Sequence, residues 1–377
     1  MRSMYTIKPR SIRIEASTFC QLKCPCCPNT IGIIEAPRKQ SISYPLHAEN
    51  DYLNPWTAHS ALVKDKPIGK GYLEFTYFRN LINKNPWIRH AELSNWGEMF
   101  LNPELLSILE YANKNKVLLT AENGVNLNTA EEAVLEALVR FKFLSLTCSI
   151  DGATDKNYRI YRVNGDLKAV IGNIKKINYF KKKYKSKLPV LIWKFTVFGH
   201  NENEIKQAKM MAHNLGMEFM LQFNCSSIYS QVRDSGLIKK QVSGGFSSRK
   251  EYFESKGEVH NQKLICSQLW NSPQINWDGR LLGCCINYWD DFGDIFKKSA
   301  LEALNDMKIN YARDMILGKK QPREDIPCSK CIYYKIMRNS GNWLKKYEIR
   351  LYDIRYKIKY AWISLFKGLL LPNKYWS

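Results

Sequence analysis

Three cysteines, Cys20, Cys24 and Cys27, fall within eight residues of one another just after a short apolar run, and they restrict this 377-residue chain more than any other feature. Thiolates at x3 and x2 spacing can wrap three corners of a [4Fe–4S] cube and leave the fourth iron open to a small molecule. Cys26 offers a second choice of triplet, although only Cys27 gives the x2 interval. Eleven cysteines occur in all, bunched toward both ends of the chain, which suggests two separate sites. The first 13 residues are basic without a signal-peptide apolar run, and no stretch reaches the roughly 18 apolar residues of a membrane span. A cytoplasmic chain is therefore expected. Reducing compartments do not keep structural disulfides, so metal or cluster ligation is the leading reading of these thiols.

Hydrophobic periodicity supplies the frame. Short apolar runs at 12–16, 88–93, 117–121, 143–150, 190–197 and 219–223 alternate with helical patterns at 73–84, 103–115, 129–140, 167–185 and 202–215. Six strands with five intervening helices predict an α/β fold, a partial (β/α)6 TIM-like barrel over 1–224, with its chemistry on the loops after the strands. Residues 30–72, rich in Pro, His, Tyr and Trp, break the alternation as an insertion and are read as a substrate lid. Residues 225–262, with Ser and Gly throughout, read as a linker. A small domain over 263–340 follows. In it 274–277 and 280–284 flank the turn dipeptide Asp278-Gly279 as a hairpin, and a helix is expected over 300–317. Residues 341–377 form a basic C-terminal helix, on which Leu344, Tyr347, Leu351, Ile354, Ile358, Ala361 and Leu365 make one apolar stripe. That stripe docks on the protein or a partner, or lies on a membrane surface.

Further motifs recur at the ends of successive predicted strands. Asn95-Trp96-Gly97-Glu98-Met99 follows the second, Glu122-Asn123-Gly124 the third and Ser149-Ile150-Asp151-Gly152 the fourth. With the cysteine triplet, the chain resembles the radical S-adenosylmethionine (SAM) superfamily, whose CxxxCxxC lies on the loop after the first barrel strand. The resemblance implies that Cys20, Cys24 and Cys27 hold the SAM-binding [4Fe–4S] cluster. Gly97 and Glu98 match its Gly-Gly-Glu-Pro motif, which contacts the SAM amino group; Trp96 and Met99 depart from that pattern. Asn123 matches its Thr-Asn-Gly, and Ser149 and Asp151 match a Ser-x-Asp-Gly motif that reaches the ribose and carboxylate. Read without the resemblance, Glu98 is a helix-start acid and Asp151-Gly152 a common turn.

Cys266, Cys284, Cys328 and Cys331 are spaced C-x12-Gly-x4-C followed by C-x2-C, with Cys285 a possible substitute for Cys284. A zinc ribbon would also use such a set. After the radical SAM signature it resembles the shortened SPASM, or twitch, domain, which implies one auxiliary [4Fe–4S] cluster with spacing close to that of 2-deoxy-scyllo-inosamine dehydrogenase. No cysteine follows Cys331, so a second auxiliary cluster has no ligands. Cys148 reads as a small buried hydrophobe, and Cys225 as a spare thiol or a substrate-facing one.

The resemblance implies an oxidoreductase that forms a 5′-deoxyadenosyl radical and dehydrogenates a carbohydrate or cyclitol-type substrate. The auxiliary cluster would accept the electron, and a flavodoxin or ferredoxin would reduce the first cluster. No unique catalytic base stands out. A peptide-modifying maturase is the alternative, set against only 19 residues ahead of Cys20, where such enzymes carry a leader-recognition domain. The net charge of +22, with eight lysines and no acid over 168–187, fits a zinc-bearing nucleic-acid binder as well as a solvated helix face.

Overall fold

The computed structural model describes residues 6–30, 68–226, 228–242 and 244–365. Its strands are β1 (Ser11–Ile14), β2 (His90–Glu92), β3 (Leu118–Val125), β4 (Ser145–Ser149), β5 (Val190–Val197), β6 (Glu218–Phe223) and β7 (Gln274–Ile275). They form one parallel sheet in the order β6-β5-β4-β3-β2-β1-β7. β6 and β7 are its two edges, so the barrel is partial. The edge strand β7 comes from the segment read as one arm of a hairpin. It pairs with β1 in register Arg13↔Gln274 while its own chain turns at Asp278-Gly279, with the Asn276 N–H on the Arg280 carbonyl at 2.8 Å. Gly279 sits at φ +91°, a left-handed conformation that disfavours other residues.

Side-chain alternation divides the sheet into two faces. Ile12, Ile14, Ala91, Leu93, Leu119, Ala121, Leu146, Cys148, Leu191, Trp193 and Phe195 join one apolar core. The intervening Arg13, Glu15, His90, Glu92, Thr120, Ser145, Thr147 and Ser149 are equally buried, and they line the lumen. The outer layer comprises α1 (Phe75–Lys84), α2 (Leu105–Lys114), α3 (Glu132–Arg140), α4 (Asp155–Tyr161), α5 (Leu167–Lys183) and α6 (Ile205–Asn214). α5 accounts for much of the lysine run. Asp166 caps it, and Leu167, Val170, Ile174, Ile177 and Phe180 face inward, which leaves Lys168, Lys175, Lys176 and Lys182 in water.

Residues 225–262, expected to be a linker, contain α7 (Ser235–Gln241) and α8 (Arg249–Lys256), with Ile238 and Val259 fully buried. After α9 (Gln262–Asn271) and β7, the helix expected over 300–317 is divided. α10 (Ala300–Ala303) ends before Asp306, whose carboxylate caps α11 (Met307–Ile316). α12 (Pro327–Lys330) carries Cys328, and Cys331 lies between it and α13 (Ile332–Ser340). Of the expected lid, 31–67 lie outside the described residues.

The C-terminal helix α14 (Lys346–Leu365) docks on the barrel, but not by the expected stripe. Tyr356, Tyr360 and Ile363 pack with Leu118, Leu144, Val190, Ile192 and Met220 at the lower, N-terminal end of the strands. The Tyr360 ring stacks on His90 at 4.1 Å between centroids, and Lys359 Nζ meets Glu122 Oε1 at 2.5 Å. Tyr347, Leu351, Ile354 and Ile358 face outward, 40–58% exposed. A helix with two apolar faces hides its docking side from a sequence pattern, because aromatic Tyr residues carry the buried one. Tyr360→Ala is expected to cost about 3 kcal/mol or more, as for other buried aromatics. Chemical denaturation monitored by circular dichroism checks this, and an unchanged midpoint would contradict the docking.

Candidate functional site

Two groups of thiols sit at opposite sides of the loop that follows β2. At the upper, C-terminal ends of the strands, the chain after β1 turns tightly through the first group, with the Cys27 N–H on the Cys24 carbonyl at 3.0 Å. Cys24 and Cys26 form a small buried cluster with Leu22, Tyr161 and Phe198, against which Cys20, Cys27 and Cys225 pack. Burial raises the pKa of all three motif thiols, that of Cys27 to about 12, and the charges of Cys27 and Cys24 push Cys20 higher still. Two side chains reach these sulfurs: Arg162 Nη1 lies 3.6 Å from Cys24 and Asn126 Nδ2 3.8 Å from Cys20.

The 95–99 loop is stitched to the cysteine loop. The Glu98 N–H donates to the Phe19 carbonyl at 2.7 Å, and Asn29 Nδ2 bridges the carbonyls of Thr18 and Trp96. Gly97 is required by the closeness of this seam, since a Cβ there would lie 2.3 Å from the Ser17 carbonyl oxygen. From the end of β1, the buried Glu15 carboxylate accepts the N–H groups of Trp96 and Gly97 at 3.0–3.2 Å. Glu98 itself is 1% exposed, and its carboxylate accepts the N–H groups of Phe100 and Asn126. Its side chain thus caps a short 3-10 turn, and burial raises its pKa to about 7.

The remaining motif residues converge on the same upper rim. Asn123 donates through Nδ2 to Asn95 Oδ1 and accepts the Lys194 ammonium at its carbonyl. Gly124, at φ +123°, lets Ser149 Oγ and Lys194 Nζ approach to within 2.2 and 2.7 Å of where a Cβ would stand. Asp151 is fully buried, with Oδ2 held by Arg162 Nε and Nη2, each at 2.7 Å, and Oδ1 by the Thr196 N–H at 2.7 Å. Burial opposes the Arg162 charge, yet Asp151 and then Cys24 hold it well above its ordinary pKa. A direct salt bridge therefore occupies Asp151, and Arg162 stands between it and the thiols. Sequence reasoning passed over Arg162, Glu15, Asn126 and Lys194. Glu15, one residue past β1, and Lys194 on β5 could have been found as charges at lumen-facing parity, but loop residues Arg162 and Asn126 carry no such signal.

The second group encloses an apolar cavity. Cys266 on α9, Cys284 after the hairpin, and Cys328 and Cys331 around α12 line it, together with Leu269, Leu282, Ile286, Trp289, Phe292 and Tyr334. Burial raises the pKa of each thiol, that of Cys331 to about 11, and neighbouring thiols add to the shift in Cys266, Cys284 and Cys328. Cys285 does not line this space. Its sulfur is 3.5 Å from Gln268 Nε2, its N–H donates to Gln268 Oε1, and its carbonyl accepts Asn95 Nδ2 at 3.1 Å. Among the described residues no three His, Cys, Asp or Glu side chains converge closely enough to hold a single metal ion. The four thiols around the cavity are a soft donor set, which suits an iron–sulfur cube.

An aromatic path leads from the 95–99 loop to the second group. The Trp96 ring meets Tyr288 edge-on at 5.9 Å, and Tyr288 meets Trp289, a wall of the second cavity, at 5.3 Å.

Comparison with known proteins agrees with this layout. Residues 266–332 match SPASM, an iron-sulfur cluster-binding domain. No curated protein matches the sequence. Among solved structures, Streptococcus suis SuiB bound to S-adenosylmethionine is 12% identical, with 86% of this chain and 71% of that one covered at TM-score 0.55. SuiB bound to precursor peptide SuiA gives 12% identity, coverages of 87% and 70%, and TM-score 0.55. BtrN in complex with AdoMet and 2-DOIA is 10% identical over 89% and 93% of the chains at TM-score 0.41. Residues 266–332 thus match a SPASM domain, and the chain shares the fold of SuiB. Gly97→Ala should be destabilised by about 1–3 kcal/mol through overpacking against backbone. A thermal unfolding midpoint equal to that of the parent protein would show that the seam is looser than described.

Proposed function

We propose that this chain is a radical SAM enzyme that oxidises a C–H/O–H group of a carbohydrate or cyclitol-type substrate and passes one electron to an auxiliary cluster. When bound, one [4Fe–4S] cluster with SAM supplies hydrogen-atom abstraction by a 5′-deoxyadenosyl radical, and the auxiliary [4Fe–4S] cluster supplies an electron acceptor. Cys20, Cys24 and Cys27 are the ligands proposed for the first, and Cys266, Cys284, Cys328 and Cys331 for the second. Gly97, Glu98, Asn123, Ser149 and Asp151 are the residues that would hold SAM, Glu98 by fixing its loop and Asp151 by aiming Arg162. The observation that carries the reading is the Asn95–Gly97 segment, which lies between the loop that carries the first thiols and residues beside the second group. Its Gly97 packs on the cysteine loop, its Asn95 side chain donates to the Cys285 carbonyl, and its Trp96 ring leads through Tyr288 to the second cavity.

Oxidation of an alcohol carbon also releases the hydroxyl proton. Lys194 is the proposed acceptor, since it is the amine on the lumen side of β5 beside Asn123 and Ser149. Burial, followed by the Arg162 charge, lowers its pKa to about 8, so a free amine is available near neutral pH. The amine is protonated below that value and free above it. Product formation is therefore expected to rise as pH increases through 8, while Lys194→Met lowers it by about 100-fold and leaves 5′-deoxyadenosine release in place. A variant that keeps product yield per 5′-deoxyadenosine would remove Lys194 from this role.

Iron analysis of anaerobically reconstituted protein tests the cofactors directly. About eight iron atoms per chain are expected for two cubes, and about four after Cys284→Ala, whereas Cys285→Ala keeps the full content. Zinc in place of iron would sink the proposal. SAM should also alter the electron paramagnetic resonance spectrum of the reduced protein, which a flavodoxin or ferredoxin would supply with electrons. Peptide modification is the second reading, favoured by the fold shared with SuiB, which is bound to precursor peptide SuiA in one structure. Anaerobic turnover on carbohydrate and peptide panels separates the two by which panel consumes SAM and yields a modified product.

A further inference from the structure

The outward stripe of α14 has a charge pattern that says what would cover it. Tyr347, Leu351, Ile354 and Ile358 are 58, 51, 40 and 51% exposed, and at steps of four, three and four they make one continuous apolar ridge. The opposite face of the same helix is filled: Tyr360 and Ile363 are buried, and Ile349, Tyr352 and Tyr356 pack against the protein. The ridge is therefore not a docking face that failed to find its barrel. On the helical wheel Lys346, Arg350 and Lys357 flank it on one side and Arg355 on the other, all exposed. The helix has two acids. Glu348 is turned inward onto Lys263 at 3.0 Å, and Asp353 is paired with Lys357 at 2.5 Å. Among the described residues the outward surface thus offers apolar side chains and the cations Lys346, Arg350 and Arg355, which no acid of the helix pairs, with no unpaired acid.

We propose that this ridge is a membrane-surface docking site that lays α14 along an anionic lipid bilayer, its apolar residues among the acyl chains and its Lys and Arg at the phosphate headgroups. No helix among the described residues is long and apolar enough to cross a membrane, so the contact lies in the plane of the interface. A second copy of this chain fits less well. Pairing two ridges would bring the flanking cations of two molecules, each at net +22, against one another. A single helix stripe of four side chains also falls short of the roughly 800 Å² per partner that a stable interface buries.

The test is co-sedimentation of the full-length, iron-loaded protein with vesicles of phosphatidylglycerol and phosphatidylcholine in equal parts, alongside vesicles of phosphatidylcholine alone. Binding to the anionic vesicles, at least tenfold weaker on neutral ones and weakened by salt, is the expected result. The triple variant Leu351→Ser, Ile354→Ser, Ile358→Ser should lose binding by a similar factor. Arg350→Gln with Arg355→Gln should weaken it with the ridge intact. Iron content and 5′-deoxyadenosine release report that each variant is folded. Sedimentation retained by the triple variant would overturn the proposal, as would no sedimentation by the parent protein. A concentration-dependent dimer in light scattering that the triple variant abolishes, without vesicle binding, would assign the ridge to a second copy instead.

Discussion

The fold is organised around the cost of burying thiols. A thiolate removed from water loses most of its solvation, and the thiols of both groups are held protonated well above their ordinary range. Such groups bind a soft metal cluster only if its positive charge replaces the lost solvation, which couples ligand burial to occupancy. The two groups solve this differently. Arg162 and Asn126 reach the sulfurs of Cys24 and Cys20, giving the first a polar side. The second is walled largely by Leu, Ile, Trp and Phe around its four thiols. An environment with one polar side suits a cluster that must admit a charged cosubstrate, whereas the closed one suits a centre that exchanges only electrons.

Strand order and the motif loops were legible because each rests on a local rule. Period-two apolar residues such as Leu191, Trp193 and Phe195 mark the outward face of β5, and the same parity puts Lys194 in the lumen. Gly97 and Gly124 mark close approaches that a side chain would block. What could not be read depends on contacts distant in sequence. Cys284 and Cys285 are neighbours with equal claims as ligands, and only the packing of Gln268 against Cys285 separates them. Asp151 looked free for a ribose, because nothing marks Arg162, eleven residues on, as its partner. The stretch at 225–262 has a linker's composition, yet Ile238 and Val259 suffice to fold it down.

Trp96 departs from the small residue expected in its motif, and the structure gives a reason. Glycine at this position would leave the backbone of the loop free to approach a ligand and nothing to fill the gap behind it. Here the indole is 3% exposed and reaches Tyr288, so the departure converts a loop that only binds into one that also bridges. The grip of Glu15 on the Trp96 and Gly97 N–H groups keeps the backbone in place despite the larger side chain.

The two ends of the barrel divide the labour. Motif loops, the first thiol group and Lys194 lie at the upper rim, while Tyr356, Tyr360 and Ile363 of α14 cover the lower end, where Tyr360 stacks on His90. Closure from below excludes water from the floor of a site where a reactive radical would otherwise be quenched. The closing helix is anchored to the site's own residues, since Lys359 meets Glu122, one residue before Asn123. The outward ridge of α14 is thus carried by a helix two contacts removed from the upper rim.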